Sequence, residues 1–430
     1  MNPVLKSGLS LMACLCLGFG LPVAATAQSA APAKPVALKQ ITVHIGYNPL
    51  AGSLPIVSTM INEHLFEQEA AKLGYQVTPD WVQFIGGAPP ANAAMVAGRL
   101  DIDIDFGVAA IVPRIKNKIP IVVFGVNASH LSNAVVVRTG SNIDEVSKLA
   151  GKTIGVPIAT SAHYSLATIV QEETGKSLQQ LGIKLVNMSP SDAIKMPEGL
   201  DAAAVWVPIR YMDQTLGTAS LLMDSSGYTG PAHKLKGARA PSVKNAWGYP
   251  EGFILDRLYL CARQAFAAEN PNLLVAFLRA RMKAQEIAVA NADKALAAAN
   301  GVWKLDPAIA AKARDTYPEN TDIRSTPMIL EYDALAIIKA SEFYASINAI
   351  DAPVTWAEAK AVLMPAAAIE KSAWEAAGMK PSVAAMEANF KGSNPTWKDL
   401  NIAGGAPVWL WDQTPDWGRR KYKPGPFLVK

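Results

Sequence analysis

Cysteine is nearly absent from this chain. Its 430 residues hold three, and two of those, Cys14 and Cys16, fall in an N-terminal apolar stretch that reads as a signal to be removed. One remaining thiol, Cys261, excludes an intramolecular disulfide and a thiolate metal cluster. Its setting, "LYLCARQAF", is apolar and reads as a buried structural position rather than a nucleophile. Histidine is scarce as well. His44, His64, His130, His163 and His233 show no ligand-like spacing, so neither a metal nor a cofactor is expected. Neither sign of charge dominates: 40 basic against 36 acidic residues give a net charge of +4, or +3 once Lys6 leaves with the signal. That balance argues against a nucleic-acid surface. No later apolar run reaches the length of a membrane span. The nucleotide loops are missing too. "VSKLAGKT" ends in Gly-Lys-Thr but has Val146 where a phosphate loop needs glycine, and no G-x-G-x-x-G opens a helix. "DIDIDF" resembles a calcium loop in composition only; its alternation is that of a strand.

What is present begins with residues 1–27, read as a secretory signal peptide: one basic residue, an apolar run from Leu9 to Ala25, and the small-x-small site Ala25-Thr26-Ala27. A lipoprotein box at Leu11–Cys14 is the weaker reading, because Met12 is unusual there. Residues 28–40 read as a Pro/Ala tether. After it, "ITVHIGY", "QVTPDWVQF", "DIDIDF", "IPIVVFGV", "NAVVVRT", "KTIGVP", "KLVNM" and "LDAAAVW" read as strands. They alternate with helical segments such as "LPIVSTMINEHLFEQEAAKLGY", predicted as one helix ending at Gly74, and "PPANAAMVAGRL". This β-α-β rhythm implies parallel sheets covered by helices. A short echo, "GRLDIDIDF" (98–106) and "GLDAAAVW" (199–206), suggests two similar lobes. From about residue 267 helical periodicity dominates to about 390. The Trp-, Pro- and Gly-rich tail reads as an extended arm.

The remaining chemistry sits in turns where strands end: "GYNPLAGSLP", "FIGGAPPAN", "DFGVAA", "PIATSAHYS" and "AVWVPIRY". In open α/β sheets, ligands bind beyond the carboxyl ends of the strands. At "PIATSAHYS", small polar residues open a helix, whose start carries unpaired N–H groups and partial positive charge. Two readings stand side by side: Thr160 and Ser161 cap their own helix, or they help hold an anion.

In their order, the words "IGYNP", "DWVQFIGGAPPANAAMVAGRLDI", "NAVVVRTGSNIDEVSKLAGKTIGVPIATSAHYSL", "AVWVP" and "ENPNLLVAFLRA" resemble the substrate-binding proteins of ABC importers in the nitrate/sulfonate/taurine/bicarbonate branch. The resemblance covers about residues 41–290 and leaves the C-terminal region unmatched. It implies an α/β fold of two Rossmann-like parallel-sheet lobes, a type II periplasmic binding protein, joined by two crossing segments near Val126–Ser132 and Tyr249–Phe253. An extended helical C-terminal region from about 300 would follow. Lobe I would be 41–130 with 251–430, and lobe II 131–250. The family's ligand contacts would map onto Asn48, Gly87, Ala88, Gly107 and Val108 in lobe I. In lobe II they would map onto Thr160, Ser161, Ala162, His163, Trp206 and Pro208, with Tyr47 and Trp206 as aromatic walls or plain core. Where family members carry a polar residue after the glycine, this chain has Val108, so lobe I should lose polar grip. Arg138 and Arg210 are the candidate cations, though each also suits a solvated position. The expected ligand is a small organic anion, a sulfonate or carboxylate, bound without catalysis by a monomer and passed to a membrane permease. Nitrate or bicarbonate as ligand, a sensor as partner, and an enzyme on the same fold, desulfinase-like or thiamine-pyrimidine-synthase-like, are the alternatives.

Overall fold

The computed structural model describes residues 38–85, 88–129, 133–225, 227–238, 254, 256–316, 329 and 331–376. The signal segment, most of the tether, the crossing placed at 249–253 and the Trp-rich tail lie outside the described residues.

The chain enters on β1 (Lys39–Tyr47), two residues inside the expected tether. Helices α1 (Leu54–Asn62) and α2 (Leu65–Ala71) lead to β2 (Tyr75–Gln83), α3 (Ala88–Val96) to β3 (Ile102–Phe106), and α4 (Val108–Lys116) to β4 (Ile121–Ser129). The single helix expected over 54–74 is thus two. The break falls at Glu63–His64, where His64 takes a left-handed φ of 51° that an α-helix cannot propagate.

The second half holds β5 (Asn133–Arg138), β6 (Thr153–Val156), α5 (Ser161–Thr174), β7 (Lys184–Asn187), α6 (Pro190–Ala193), β8 (Ala202–Trp206), α7 (Ile209–Leu216) and β9 (Ala219–Asp224). Two short strands follow, β10 (Tyr228–Thr229) and β11 (Gly237–Ala238). Then β12 (Arg257–Arg263) returns to the first sheet, followed by α8 (Gln264–Glu269), α9 (Pro271–Ala290), α10 (Ala292–Trp303), α11 (Pro307–Thr316), α12 (Glu331–Ser346), α13 (Trp356–Leu363) and α14 (Ala366–Ala376).

The first sheet runs β2-β1-β3-β12-β4, and the second, read from its far edge, runs β7-β6-β8-β5-β9-β10-β11. The first five places correspond. Each sheet is mixed rather than wholly parallel, because β12 pairs antiparallel with β3 and β4, and β5 pairs antiparallel with β8 and β9. The reason is topological. These are the two strands on which the chain arrives from the other sheet, so each enters from the end where its neighbours finish. Pro79, which cannot donate to a ladder, is tolerated because β2 is an edge strand.

The echo between 98–106 and 199–206 is structural. Asp101 N–H donates to the His44 carbonyl at 2.9 Å, and His44 N–H donates back to the Asp101 carboxylate at 3.1 Å. Asp201 repeats this with Thr153 at 2.9 and 2.8 Å. The arriving strands complete the match, with Arg263 N–H on the Asp101 carbonyl and Arg138 N–H on that of Asp201. A carboxylate that accepts a strand amide stitches together the start of the ladder in each half.

Both sheets bury apolar faces. In the first, Phe66 of α2 meets Phe277 of α9 edge-on at 5.0 Å between ring centres, and Phe124 of β4 completes the cluster. Burying each such ring contributes about 2–3 kcal/mol. The C-terminal helices are part of the body. On α12, Asp333 accepts hydrogen bonds from Arg257 at 2.8 Å and the Tyr259 hydroxyl at 2.9 Å, while Phe343 packs on His163 and Tyr164 of α5.

Candidate ligand-binding cleft

Between the carboxyl ends of the two sheets lies a cavity of about 420 Å³, the size of a small-molecule site. The first sheet contributes Asn48 after β1, Ala88 and Asn92 on α3, and Asp105 and Gly107 at the end of β3. The second contributes the turn Ile158–Ser161 and Trp206. Trp206 also ties the two walls together, since its indole N–H donates to the Leu50 carbonyl at 2.8 Å.

Of the residues singled out in the sequence, Asn48, Ala88, Gly107, Thr160, Ser161 and Trp206 line this cavity. Gly87 lies outside the described residues. Tyr47, Val108, Ala162, His163 and Pro208 do not line it. The Tyr47 hydroxyl instead accepts from Gln83, and its ring meets Trp81 edge-on. Val108 and Ala162 are core residues on the first turns of their helices. His163 is buried against Phe343, its Nδ1 accepting from Ala159 N–H at 3.3 Å, and burial pushes its pKa down to about 4. Pro208 serves as the residue preceding α7. Neither candidate cation faces the cleft. Arg138 donates to the carbonyls of Pro197 and Leu200, and Arg210 is buried against Asp224 at 2.7 Å.

The start of α5 fits neither reading of Thr160 and Ser161 in full. Thr160 donates its hydroxyl to the Pro157 carbonyl at 2.6 Å and does not cap the helix. Ser161 gives its hydroxyl to Asp256. Both hydroxyls are occupied, so the groups available to an anion at this turn are main-chain N–H donors.

Asp256 does not line the cavity but ties together segments that do. Its Oδ1 accepts from Val108 N–H at 3.0 Å, and Ser161, Asn133 and its own neighbour Arg257 also donate to the carboxylate. Burial raises its pKa to about 7 against those donors. One acid thus ties the first turn of α4, the first turn of α5 and the start of β5. Gly107 fits because any Cβ there would come within 3.1 Å of Asp256 Oδ1.

The first half does bring a polar side chain to the cavity, three residues earlier than Val108. Alternation along β3 puts Asp101, Asp103 and Asp105 on one face, and each meets a different environment. Asp101 pairs with Arg263 at 2.8 Å. Asp103 is buried near Arg114, with burial pushing it up to about 8. Asp105 reaches the cleft, where Asn48 N–H, the Ser53 hydroxyl and the Asn127 amide donate to it at 2.8, 2.6 and 3.2 Å. Burial lifts Asp105 to about 6 against those three donors. The signal was legible: the last acid of an alternating strand falls at the strand's carboxyl end. Asn92 and the apolar lining, Ala109, Ala110, Pro113, Ile119 and Leu258, carried no comparable mark.

Cys261 is buried within β12, its thiol pushed up to about 12 by burial. Among the described residues no helix is long and apolar enough to cross a membrane.

A cavity between two sheets of matching strand order, each ending its parallel strands at the cavity, defines a periplasmic-binding-protein fold. Residues 91–295 match the NMT1/THI5-like family, and the resemblance read from the sequence words holds. The chain is 27% identical over 230 residues to the taurine-binding periplasmic protein of Escherichia coli, a match covering 53% of this chain and 63% of that relative. It therefore spans less than two thirds of that protein's length. Two solved structures share the fold. The periplasmic aliphatic sulphonate binding protein of Escherichia coli aligns with TM-score 0.54 at 17% identity, over 73% of this chain and 94% of its own. The periplasmic nitrate-binding protein of Synechocystis aligns with TM-score 0.57 at 11% identity, over 79% and 91%.

Proposed function

We propose that this protein is a periplasmic solute-binding protein that captures a small organic molecule with an acidic end, a sulfonate or carboxylate, and delivers it to an ABC transporter permease. The observation that carries this reading is the cleft: both sheets line it, and one wall is a helix start whose N-terminal turn no side chain caps. An acidic group there meets main-chain N–H donors and the positive end of the helix dipole. The apolar part of the ligand lies against Ala109, Ala110, Leu258 and Trp206. In this reading lobe I is 41–130 with 251–430, lobe II is 131–250, and the two swing about the crossing segments to admit ligand. The mature chain begins near Gln28 after cleavage of the signal peptide and acts as a monomer. A buried thiol away from the cleft supports binding over thiol catalysis.

A thermal-shift screen tests the reading. A ligand that binds the folded state alone adds RT ln(1 + [L]/Kd), about 4 kcal/mol at a thousandfold excess over Kd. Sulfonates or carboxylates with an organic body should raise the melting temperature. A shift with nitrate or bicarbonate, and none with any organic acid, would refute it.

A further inference from the structure

The turn after β1 is held from two sides. Trp206, at the end of β8, donates its indole N–H to the Leu50 carbonyl at 2.8 Å. Trp303, at the end of α10, donates its own to the adjacent Pro49 carbonyl at 3.0 Å. Asn48 and Ala51, on either side of those two residues, line the cavity. The stretch after Trp303 is fixed in direction. Lys304 takes a left-handed φ of 58° that ends α10. Asn300 brackets Leu305, its Oδ1 accepting from the Leu305 N–H at 2.8 Å and its amide donating to the Leu305 carbonyl at 3.2 Å. The next N–H, that of Asp306, donates to the Thr215 hydroxyl of α7 at 3.3 Å. Helix α7 follows Trp206 by way of Val207 and Pro208. Thr215 and the Trp206 indole are therefore carried on one piece of the second half.

We propose that Trp303–Asp306 is a clasp that holds the second half closed on the cleft and so sets, from outside the cavity, how fast ligand leaves. The proposal rests on the reading above, in which the two halves swing apart to exchange ligand. A swing that carries β8 and α7 away from the first sheet breaks the Trp206–Leu50 and Thr215–Asp306 bonds. Trp303 stays on Pro49 and keeps the clasp in place for the next closure. The C-terminal helices touch the second half at a further point, and the two contacts differ in kind. Phe343 of α12 is buried with His163 and Tyr164 of α5, a packed contact that water cannot replace cheaply. The Thr215–Asp306 bond joins a half-buried residue to an exposed one, where water takes over the freed groups at small cost. The first contact suits a lasting brace and the second a reversible fastening. The chain beyond about residue 300, which the family resemblance left unmatched, thereby gains a part in ligand exchange.

The test is the rate of release, followed by stopped-flow tryptophan fluorescence on the full mature protein with propanesulfonate and butyrate as probes. Thr215→Val keeps the side chain's shape and deletes its hydroxyl. It should speed release roughly 3- to 10-fold, as for the loss of one hydrogen bond, with no fall in the association rate. Its unliganded melting temperature should stay nearly unchanged. Thr215→Ser restores the hydroxyl and should release at the wild-type rate. Trp303→Phe keeps a ring in place and deletes the N–H that seats the clasp on Pro49, so release should quicken by a smaller factor. A merely structural Thr215 predicts the opposite pattern, a lowered melting temperature with release unchanged. If Thr215→Val releases at the wild-type rate, there is no clasp, while the acid-binding reading stands. If Thr215→Ser releases as fast as Thr215→Val, the methyl group and not the hydroxyl does the fastening, and the proposal falls. If neither probe binds the wild type, the reading above falls and the clasp with it.

Discussion

Strands β3 and β8 hold the same place in their sheets, and their neighbouring amides bond to Asp101 and Asp201 in the same way. Beyond that first acid they part. β3 continues with Asp103 and Asp105, where β8 has Ala203 and Val205. The frame is repeated, but the chemistry belongs to one copy. Asp103 and Asp105 survive burial because this half supplies partners: Arg114 near the first, and Ser53, Asn48 and Asn127 around the second. The second half turns a plain apolar strand toward its core and lines the cavity with a helix start instead. A repeated frame thus gives two walls of different chemistry.

The largest test breaks this comparison by making the halves alike. Ala203 is fully buried and pairs with Val136 and Gly155. The arginine that follows β8, Arg210, is already committed to Asp224. Ala203→Asp should therefore cost about 3–5 kcal/mol of unfolding free energy in urea, as for an unpaired buried charge. A cost below about 1 kcal/mol would mean the second half can accommodate an acid as the first does.

The next sharpens it through pH. Asp103 in the first half and Asp213 in the second are buried carboxyls pushed up to about 8, in both cases chiefly by burial. A carboxyl raised in the folded state contributes stability that is full below its unfolded value of about 3.8 and is lost as pH rises through about 8. Arg114 offsets the ionised form of Asp103, whereas burial alone acts on Asp213. Asp213→Asn should thus flatten the decline in stability from about pH 4 to about pH 8, by on the order of 5 kcal/mol. Asp103→Asn should flatten it to a similar extent, because its folded value is the same with Arg114 already offsetting part of the burial. A slope changed by one variant and not by the other would break the match between the two buried acids.

The smallest concerns the helix starts that meet at Asp256. Ser161→Ala deprives that carboxylate of one donor while Val108 N–H keeps its own bond. The expected loss is about 1 kcal/mol of stability, with ligand affinity changed less than twofold. Affinity that falls tenfold at unchanged stability would return the hydroxyl to the ligand.

Much of the frame was legible. Alternation in "ITVHIGY" predicted β1, the apolar run in "NAVVVRT" read as the strand that is β5, the helical spacing of "NPNLLVAFLRARMKAQEIAVA" predicted α9, and the paired words at 98–106 and 199–206 suggested two similar halves. Part of the cleft was legible as well: strand-end turns supplied Asn48, Gly107, Thr160, Ser161 and Trp206. Three of the five that do not line the cavity lie on helices. Val108 and Ala162 each follow a lining residue and His163 comes two places after Ser161, and on a helix successive side chains point about 100° apart. Sequence adjacency could not show which of them faced the cavity.

By itself the sequence determined what depends on near neighbours: where strands alternate, where turns fall, and which face of β3 carries three acids. Tertiary structure alone decided that Asp101 would stitch a ladder, Asp103 stay buried near Arg114 and Asp105 reach the cleft. It also decided that β5 and β12 would run against their neighbours, since each enters its sheet from the other. The reason is physical. A side chain's periodicity is set within a few residues, whereas its charge state and partners depend on groups brought close only when distant segments pack, as when Ser53 and Asn127 close around Asp105.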